Sequence, residues 1–324
     1  MYKQKGFVNY LLITHNDLDG VGCELFAKLA FGDDIEICLV DNPQDATRKL
    51  IDLKNTGDWK KYQQIYLTDC SFDLNQSHNM PKLKSLVKLF DHHKSAVEMF
   101  EKCSWAKVEP ELNGRLTCGT ELWYEYLLKK GYIYPRPFFV ELVRLYDTWD
   151  WKKQNSHIPE YLSTLLYAKG HSYFVRTYLE RLKKADVNEL NIFNSYERDI
   201  LEYEFHKKDV ALQKALENVK IVTTEKYKIG FSFSAVDSST LGHAICKEFD
   251  VDFAIMINFN TGTINGRAMK SEIDLSQIMK TYFNGGGHPA AAGGKFDTCI
   301  IDFLLNNTIG KISPIISIED GKKN

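Results

Sequence analysis

Histidine and aspartate recur in four short clusters of this chain: His15-Asn16-Asp17-Leu18-Asp19-Gly20, Asp69, Asp91-His92-His93, and Asp147 with Asp150. They sit where the pattern of apolar residues reads as strand ends. A single aspartate in such a place is usually a helix cap or a turn residue. Four clusters together point elsewhere. Hard carboxylates mixed with imidazoles, with no thiolate among them, suit Mn²⁺ better than a structural zinc. Two ions about 3.5–4 Å apart, with a carboxylate between them, are a common arrangement for hydrolysing phosphoesters. In His15-x-Asp17-x-Asp19, alternate residues of an extended segment would point the same way and face one metal pocket. Gly20 would then let the chain turn tightly into a helix. In Asp91-His92-His93 the neighbours would point apart, so that one imidazole ligates metal, the next reaches a substrate phosphate, and Asp91 orients a ring from behind.

The elements that must position these groups alternate. Apolar runs at 10–14, 35–40, 65–68 and 87–90 are separated by amphipathic stretches including 20–31 and 43–54, the rhythm of β-α-β units around a parallel sheet. Val21, Leu25, Phe26 and Leu29 recur at helical spacing. The loop 14–19 therefore joins a strand end to a helix start, where ligand sites of open α/β sheets lie. Further helices fit 119–130 and 137–147, and 160–217 reads as long, charged and helical. Strands return at 219–223, 227–233 and 252–259, the last with Phe253, Ile255, Ile257 and Phe259 at period two. A helix over 274–282 precedes a glycine-rich loop. The expected architecture is α/β: residues 1–150 as the metal-binding domain with a mainly parallel sheet, 151–217 as a helical connector, and 218–324 as a smaller α/β domain.

Composition sets limits on partners. The chain has 324 residues, 44% apolar and 26% charged, as in an ordinary globular protein large enough for two cores. Its formal charge of -2, from 41 basic and 43 acidic residues, argues against an extended track for long nucleic acid. Local charge can still steer a small anion. Cysteines at 23, 38, 70, 103, 118, 246 and 299 form no CxxC pair. A reducing cytoplasm is the expected setting, because no export signal or membrane span is visible. In the C-terminal part, Arg267 ends a strand pattern, and Gly285-Gly286-Gly287-His288 follows a helix pattern. A guanidinium can grip a phosphate through two hydrogen bonds, and glycines admit a phosphate or base close to backbone N–H groups. A glycine run alone is also compatible with a loose turn. Trp149 and Trp151 are candidates for base stacking, although most aromatics are core.

Asp17-Leu18-Asp19-Gly20, Asp69 in Tyr66-Leu67-Thr68-Asp69, Asp91-His92-His93 and Asp147 resemble the four successive motifs of DHH phosphoesterases. Gly285-Gly286-Gly287-His288 with Ala290-Ala291-Ala292-Gly293-Gly294 resembles the signature of the DHHA1 substrate domain. The matches run in the family's order over about residues 10–295. The segments Thr14 to Gly20 and Tyr146 to Asp150 are most similar to the oligoribonuclease (nanoRNase) B branch.

The resemblance implies roles. Asp17 with His15 would bind one Mn²⁺; Asp19, His92 and Asp147 would bind a second; Asp69 would bridge both. His93 would touch phosphate, while Arg267, Gly286, Gly287 and His288 would clamp the substrate end. Mg²⁺ or Co²⁺ would be substitutes. In related pyrophosphatases and many oligoribonucleases the motif histidine lies four residues before the first aspartate, whereas His15 lies two before Asp17. Asp150 competes with Asp147, and the motif alignment favours Asp147. The implied activity is hydrolysis of very short RNA by a hydroxide shared between the ions, in a monomer or a homodimer. A 3′-phosphoadenosine-5′-phosphate phosphatase, a cyclic nucleotide phosphodiesterase, a pyrophosphatase and a catalytically inactive nucleotide sensor are the rival readings.

Overall fold

The computed structural model of the chain describes residues 9–74, 85–154, 156–270 and 272–295. It divides into two compact units that meet in sequence at Glu204 and Phe205. The first contains a five-stranded sheet of β1 (Tyr10–His15), β2 (Ile35–Val40), β3 (Gln64–Thr68), β4 (Val87–Asp91) and β5 (Ala106–Val108). All neighbours are parallel, in the order β2-β1-β3-β4-β5. After β2 the chain crosses back over β1 to lay down β3. The order thus reverses between β1 and β3, and the carboxyl ends of strands flanking such a reversal are where open α/β sheets place ligands.

Both faces are covered. On one, Leu11, Ile13, Ile65, Leu67, Val87 and Leu89 pack with Leu50 and Leu53 of α2 (Pro43–Thr56) and Phe100 of α3 (Lys94–Phe100). On the other lie α1 (Leu18–Phe31), α4 (Gly119–Lys129) and α5 (Pro137–Asp147). There Trp123 of α4 meets Tyr66 and Phe90 of the sheet at ring centroid distances of 4.7 and 5.3 Å. Helix α1 is buried on every side from Leu18 to Ala27. That burial explains why its residues are mostly apolar or small and why its two buried carboxylates, Asp19 and Glu24, need partners of their own, Glu24 finding His171 at 2.6 Å. A two-stranded hairpin of β6 (Glu111–Leu112) and β7 (Arg115–Leu116) turns at Asn113 and Gly114, whose φ values of 53° and 76° are those the Asn-Gly pair favours.

The long helical stretch is three helices: α6 (Ile158–Lys169), α7 (His171–Lys184) and α8 (Ser195–Glu217). Helix α7 packs on α1, so much of the segment expected as a connector belongs to the body of the first unit. Glu197, fully buried at the start of α8, holds it there by accepting from Arg181 Nη2 at 2.7 Å, Tyr173 Oη at 3.1 Å and Asn194 N at 2.8 Å.

The second unit is a six-stranded sheet of β8 (Lys220–Thr223), β9 (Lys228–Ser232), β10 (Phe253–Asn258), β11 (Thr263–Ala268), β12 (Gly286–His288) and β13 (Ala291–Lys295). Its order is β12-β13-β11-β10-β9-β8, with β9 and β10 parallel and the other pairs antiparallel. Leu241 and Ile245 of α9 (Ser238–Phe249) cover one face, and Leu275 and Met279 of α10 (Leu275–Tyr282) the other. The glycine-rich segment expected as a loop is the short edge strand β12. Gly287 pairs with Ala292 at a spacing that a β-carbon would break, since that atom would lie 2.7 Å from Ala291 O.

Candidate metal centre

Three of the four sequence clusters fall just past parallel strands, and their side chains converge. His15 closes β1, and its Nδ1 lies 2.7 Å from Asp17 Oδ2 while Nε2 lies 3.0 Å from the Asp41 carbonyl. Asp17 is the N-cap of α1, accepting from Gly20 N at 3.0 Å. It is thus a helix cap and a site residue at once. Extended backbone ends at Asp17, so Asp19 already stands in the first helical turn, not on an extended segment as its spacing suggested. What keeps the turn tight is Gly20: a β-carbon there would lie 1.8 Å from His15 O.

Asp19 is buried and fixed by the N-terminus of α4. Its carboxylate accepts from Gly119 N at 2.6 Å and Thr120 N at 2.7 Å, and its carbonyl from Thr120 Oγ1 at 2.6 Å. Free N–H groups of a helix start make a natural carboxylate cradle. Asp69 follows β3 in the left-handed region, at φ 55°, which a non-glycine residue adopts only when its surroundings compel it. Here they do: Asp69 N donates to Phe90 O at 2.9 Å, and Gly119 presses so close that a β-carbon on it would meet Asp69 Cβ at 2.4 Å. Asp147 comes from the last residue of α5 and not from a strand end. His92 Nε2 lies 3.2 Å from Asp69 Oδ1 and 3.7 Å from both Asp19 Oδ2 and Asp147 Oδ2. Asp91 Oδ1 accepts from His92 N at 2.8 Å and lies 2.7 Å from His93 Nδ1, which orients the His93 ring.

Three triads of donor atoms result, each within 4.8 Å: His15, Asp17 and Asp69; Asp19, His92 and Asp147; and Asp69, His92 and His93. Burial, then the nearby Asp19 and Asp17 carboxylates, push Asp69 well above the usual carboxyl range. The same causes push Asp147 up to about 8. His15 rises to about 9 because Asp17 accepts its proton, and His93 rises because Asp91 does the same. Burial lowers His92. Asp69 Oδ2 is buried and has no hydrogen-bond partner. Clustered carboxylates, raised protonation and an orphaned oxygen are what a bound divalent cation would relieve.

Asp150 lies apart from the triads. Its Oδ2 accepts from Arg144 Nη1 at 3.0 Å, and buried Arg144 also reaches Glu141, the Leu116 carbonyl and Thr148 Oγ1. Arg144, Gly119 and Thr120 therefore brace the centre without having been singled out in the sequence. The expected helix start at 119 was the available signal for the last two. In the second unit Arg267 stands opposite Ala291, which stands opposite His288. Directly paired residues share a sheet face, so Arg267 and His288 flank one small residue on the same face. The Arg267 stem lies against Gly242 of α9, and its Nη1 donates to Gly266 O at 3.0 Å. Gly286, Gly287 and His288 are all exposed.

A five-stranded parallel sheet carrying an aspartate and histidine centre at its switch point, followed by a second mixed sheet, defines the class to which the comparisons also lead. No protein-family profile matches the chain. It is 30% identical to oligoribonuclease NrnB of Bacillus subtilis, over 88% of this chain and 72% of that protein. It is 25% identical to a 3′,5′-cyclic-nucleotide phosphodiesterase of Helicobacter pylori, over 88% and 92%. Among solved structures, a pGpG-specific phosphodiesterase of Vibrio cholerae shares the fold at a TM-score of 0.55 with 15% identity, over 94% of this chain and 99% of that one. The chain belongs to the DHH phosphoesterase family, and it is a hydrolase. Among the described residues no helix is long and apolar enough to cross a membrane.

Proposed function

We propose that this chain is a Mn²⁺-dependent nanoRNase that hydrolyses the phosphodiester bonds of very short RNA. The observation carrying the metal reading is that Asp69 belongs to one triad with His15 and Asp17 and lies 3.2 Å from His92, which completes a second with Asp19 and Asp147. His15 and Asp17 would hold one ion, Asp19, His92 and Asp147 another, and Asp69 both. Bound there, the ions would polarise a shared water and offset charge on the phosphoryl oxygens. The chain's own residues supply the rest. Helix α4 fixes Asp19, and the left-handed turn aims Asp69. Asp91 favours the protonated form of His93, whose Nε2–H would then donate to a phosphoryl oxygen in the transition state. The kinship with an oligoribonuclease supports the RNA reading. Kinship with a cyclic-nucleotide phosphodiesterase supports a second reading, a cyclic nucleotide as substrate. Incubation with Mn²⁺ and di- to pentanucleotides, cyclic nucleotides, 3′-phosphoadenosine-5′-phosphate and pyrophosphate separates these; preference for a cyclic nucleotide overturns the first.

Three outcomes are expected. Activity falls as RNA lengthens, because a near-neutral chain offers no long row of phosphate contacts. The kcat/KM on a 20-nucleotide strand should be at least about tenfold below that on a dinucleotide, and equality would replace a short-substrate enzyme with a processive one. Arg267→Ala should lower kcat/KM by roughly 10–100-fold, the loss of one charge-assisted contact, with metal content unchanged. Unaltered kinetics on all substrates would remove Arg267 from substrate binding. The third concerns pH. Asp69, Asp147, His15 and His93 all bind a proton more tightly folded than unfolded, so in chelator their contribution to stability is lost as pH rises through their folded values, about 8 for Asp147 and about 9 for His15. Lowered His92 acts in the opposite sense. The Tm of the metal-free protein should fall between pH of about 6 and about 9, and Mn²⁺ should abolish the fall by replacing those protons. A Tm that rises over that range without metal would contradict it.

A further inference from the structure

Two tryptophans follow Asp147, and the structure separates them. Trp151 is 8% exposed and belongs to the core, whereas Trp149 is 54% exposed. Trp149 also has φ 63°, and a bulky residue in the left-handed region is a genuine outlier. The segment around it is over-determined. Trp149 N donates to Tyr146 O at 3.1 Å, Thr148 N and Oγ1 donate to Arg144 O at 2.9 and 2.8 Å, and Lys152 N donates to Trp149 O at 3.2 Å. On the far side, Asp150 is tied to the buried Arg144. The indole is itself braced by the Lys152 ammonium, 4.2 Å from its ring centroid. A large exposed ring, held in a strained backbone two residues from a centre carboxylate, is not explained by packing.

We infer that Trp149 is a positioning residue that stacks on the nucleobase of the nucleotide whose phosphate lies at the metal centre. The inference rests on the phosphodiesterase reading and adds to it the element that recognises a base. Two residues of chain put its Cα within about 7 Å of that of Asp147, the reach of a base from its own phosphate. Lys152 lies over the indole, and with 54% of the residue exposed much of the ring remains accessible to a flat partner. Stacking needs only a π face, so it tolerates any base and fits an enzyme that reads size and not sequence. Tyr167 of α6, 67% exposed, is a second accessible ring of this unit. The strain at Trp149 then has a use, because it presents the ring without a flexible search and so lowers the ordering cost of binding.

The test is a substrate and residue cycle with the metal-loaded protein. Trp149→Ala should lower kcat/KM on a diribonucleotide by about 10–100-fold, the range of one base–aromatic stack, chiefly through KM. Trp149→Phe should restore most of it. On the analogue lacking the base next to the scissile phosphate, the same Trp149→Ala change should cost less than about threefold, because the partner of the ring is already gone. Equal losses on both substrates, or no loss on either, would overturn the assignment. A turnover-free arm titrates the wild type and Trp149→Phe with adenosine monophosphate and ribose 5-phosphate while tryptophan fluorescence is followed. Quenching by the nucleotide alone, present only with Trp149, supports stacking even if RNA proves not to be the substrate; cleavage of RNA without that quenching rejects stacking and leaves the activity standing.

Discussion

Asp69→Ala removes turnover, with kcat expected to fall by roughly 10³-fold or more, about 4 kcal/mol in the barrier. The carboxylate stands where two triads meet, and no neighbour can take its place. Asp19 is committed to the start of α4, and Asp17 caps α1. The fold should not suffer in proportion. In the metal-free protein Asp69 is a buried acid with an unpartnered oxygen, crowded by like charges that push its carboxyl upward. Removing it relieves that repulsion, so the melting temperature in chelator should hold steady or rise while activity disappears. Such a divergence marks a residue kept for chemistry and not for stability. Kinetics with Mn²⁺ and thermal melts followed by circular dichroism measure both sides. A variant retaining more than about a tenth of wild-type kcat would remove Asp69 from its bridging place.

How much of this was legible beforehand differs by residue. The strands at 10–14, 35–40, 65–68 and 87–90 were readable because buried parallel strands are nearly continuous apolar runs. Asp17, Asp69 and His92 were readable as candidates because they follow those runs directly. Helix packing was not readable, which is why the helical stretch 160–217 looked like part of a connector although α7 lies on α1. Its charge pattern shows that one face is solvated and says nothing of what the other face covers. Arg144 was invisible for a related reason. An arginine inside a helix is ordinarily exposed, and only the structure reveals that its guanidinium is buried among Glu141, Asp150 and Leu116 O. The period-two argument for His15, Asp17 and Asp19 singled out side chains that the structure does bring into the cluster around Asp69 and His92, but by the wrong geometry, since the helix cap intervenes at Asp17.

Gly119→Ala should be nearly as damaging to turnover as loss of a ligand, although it removes no functional group. The added methyl would meet Asp69 Cβ at 2.4 Å, Cα at 2.7 Å and N at 2.9 Å. Two of these are backbone atoms of a residue already held at φ 55°, so no flexible side chain can swing aside. The start of α4 must retreat, and with it the Gly119 and Thr120 amides that grip the Asp19 carboxylate. One substitution thus disturbs a carboxylate from each of two triads. A displacement of about 1 Å among positioning groups costs on the order of 10²-fold in rate, and overpacking costs about 1–3 kcal/mol of stability. The comparison that isolates the site is Gly114→Ala, in the exposed β6–β7 turn, where a β-carbon meets nothing within 4 Å and φ is 76°. There the left-handed backbone makes alanine cost stability alone, so urea unfolding should shift while kcat stays at the wild-type value. Wild-type kcat in Gly119→Ala would mean that the close approach of α4 to Asp69 is a packing accident and not what sets the spacing of the two carboxylates.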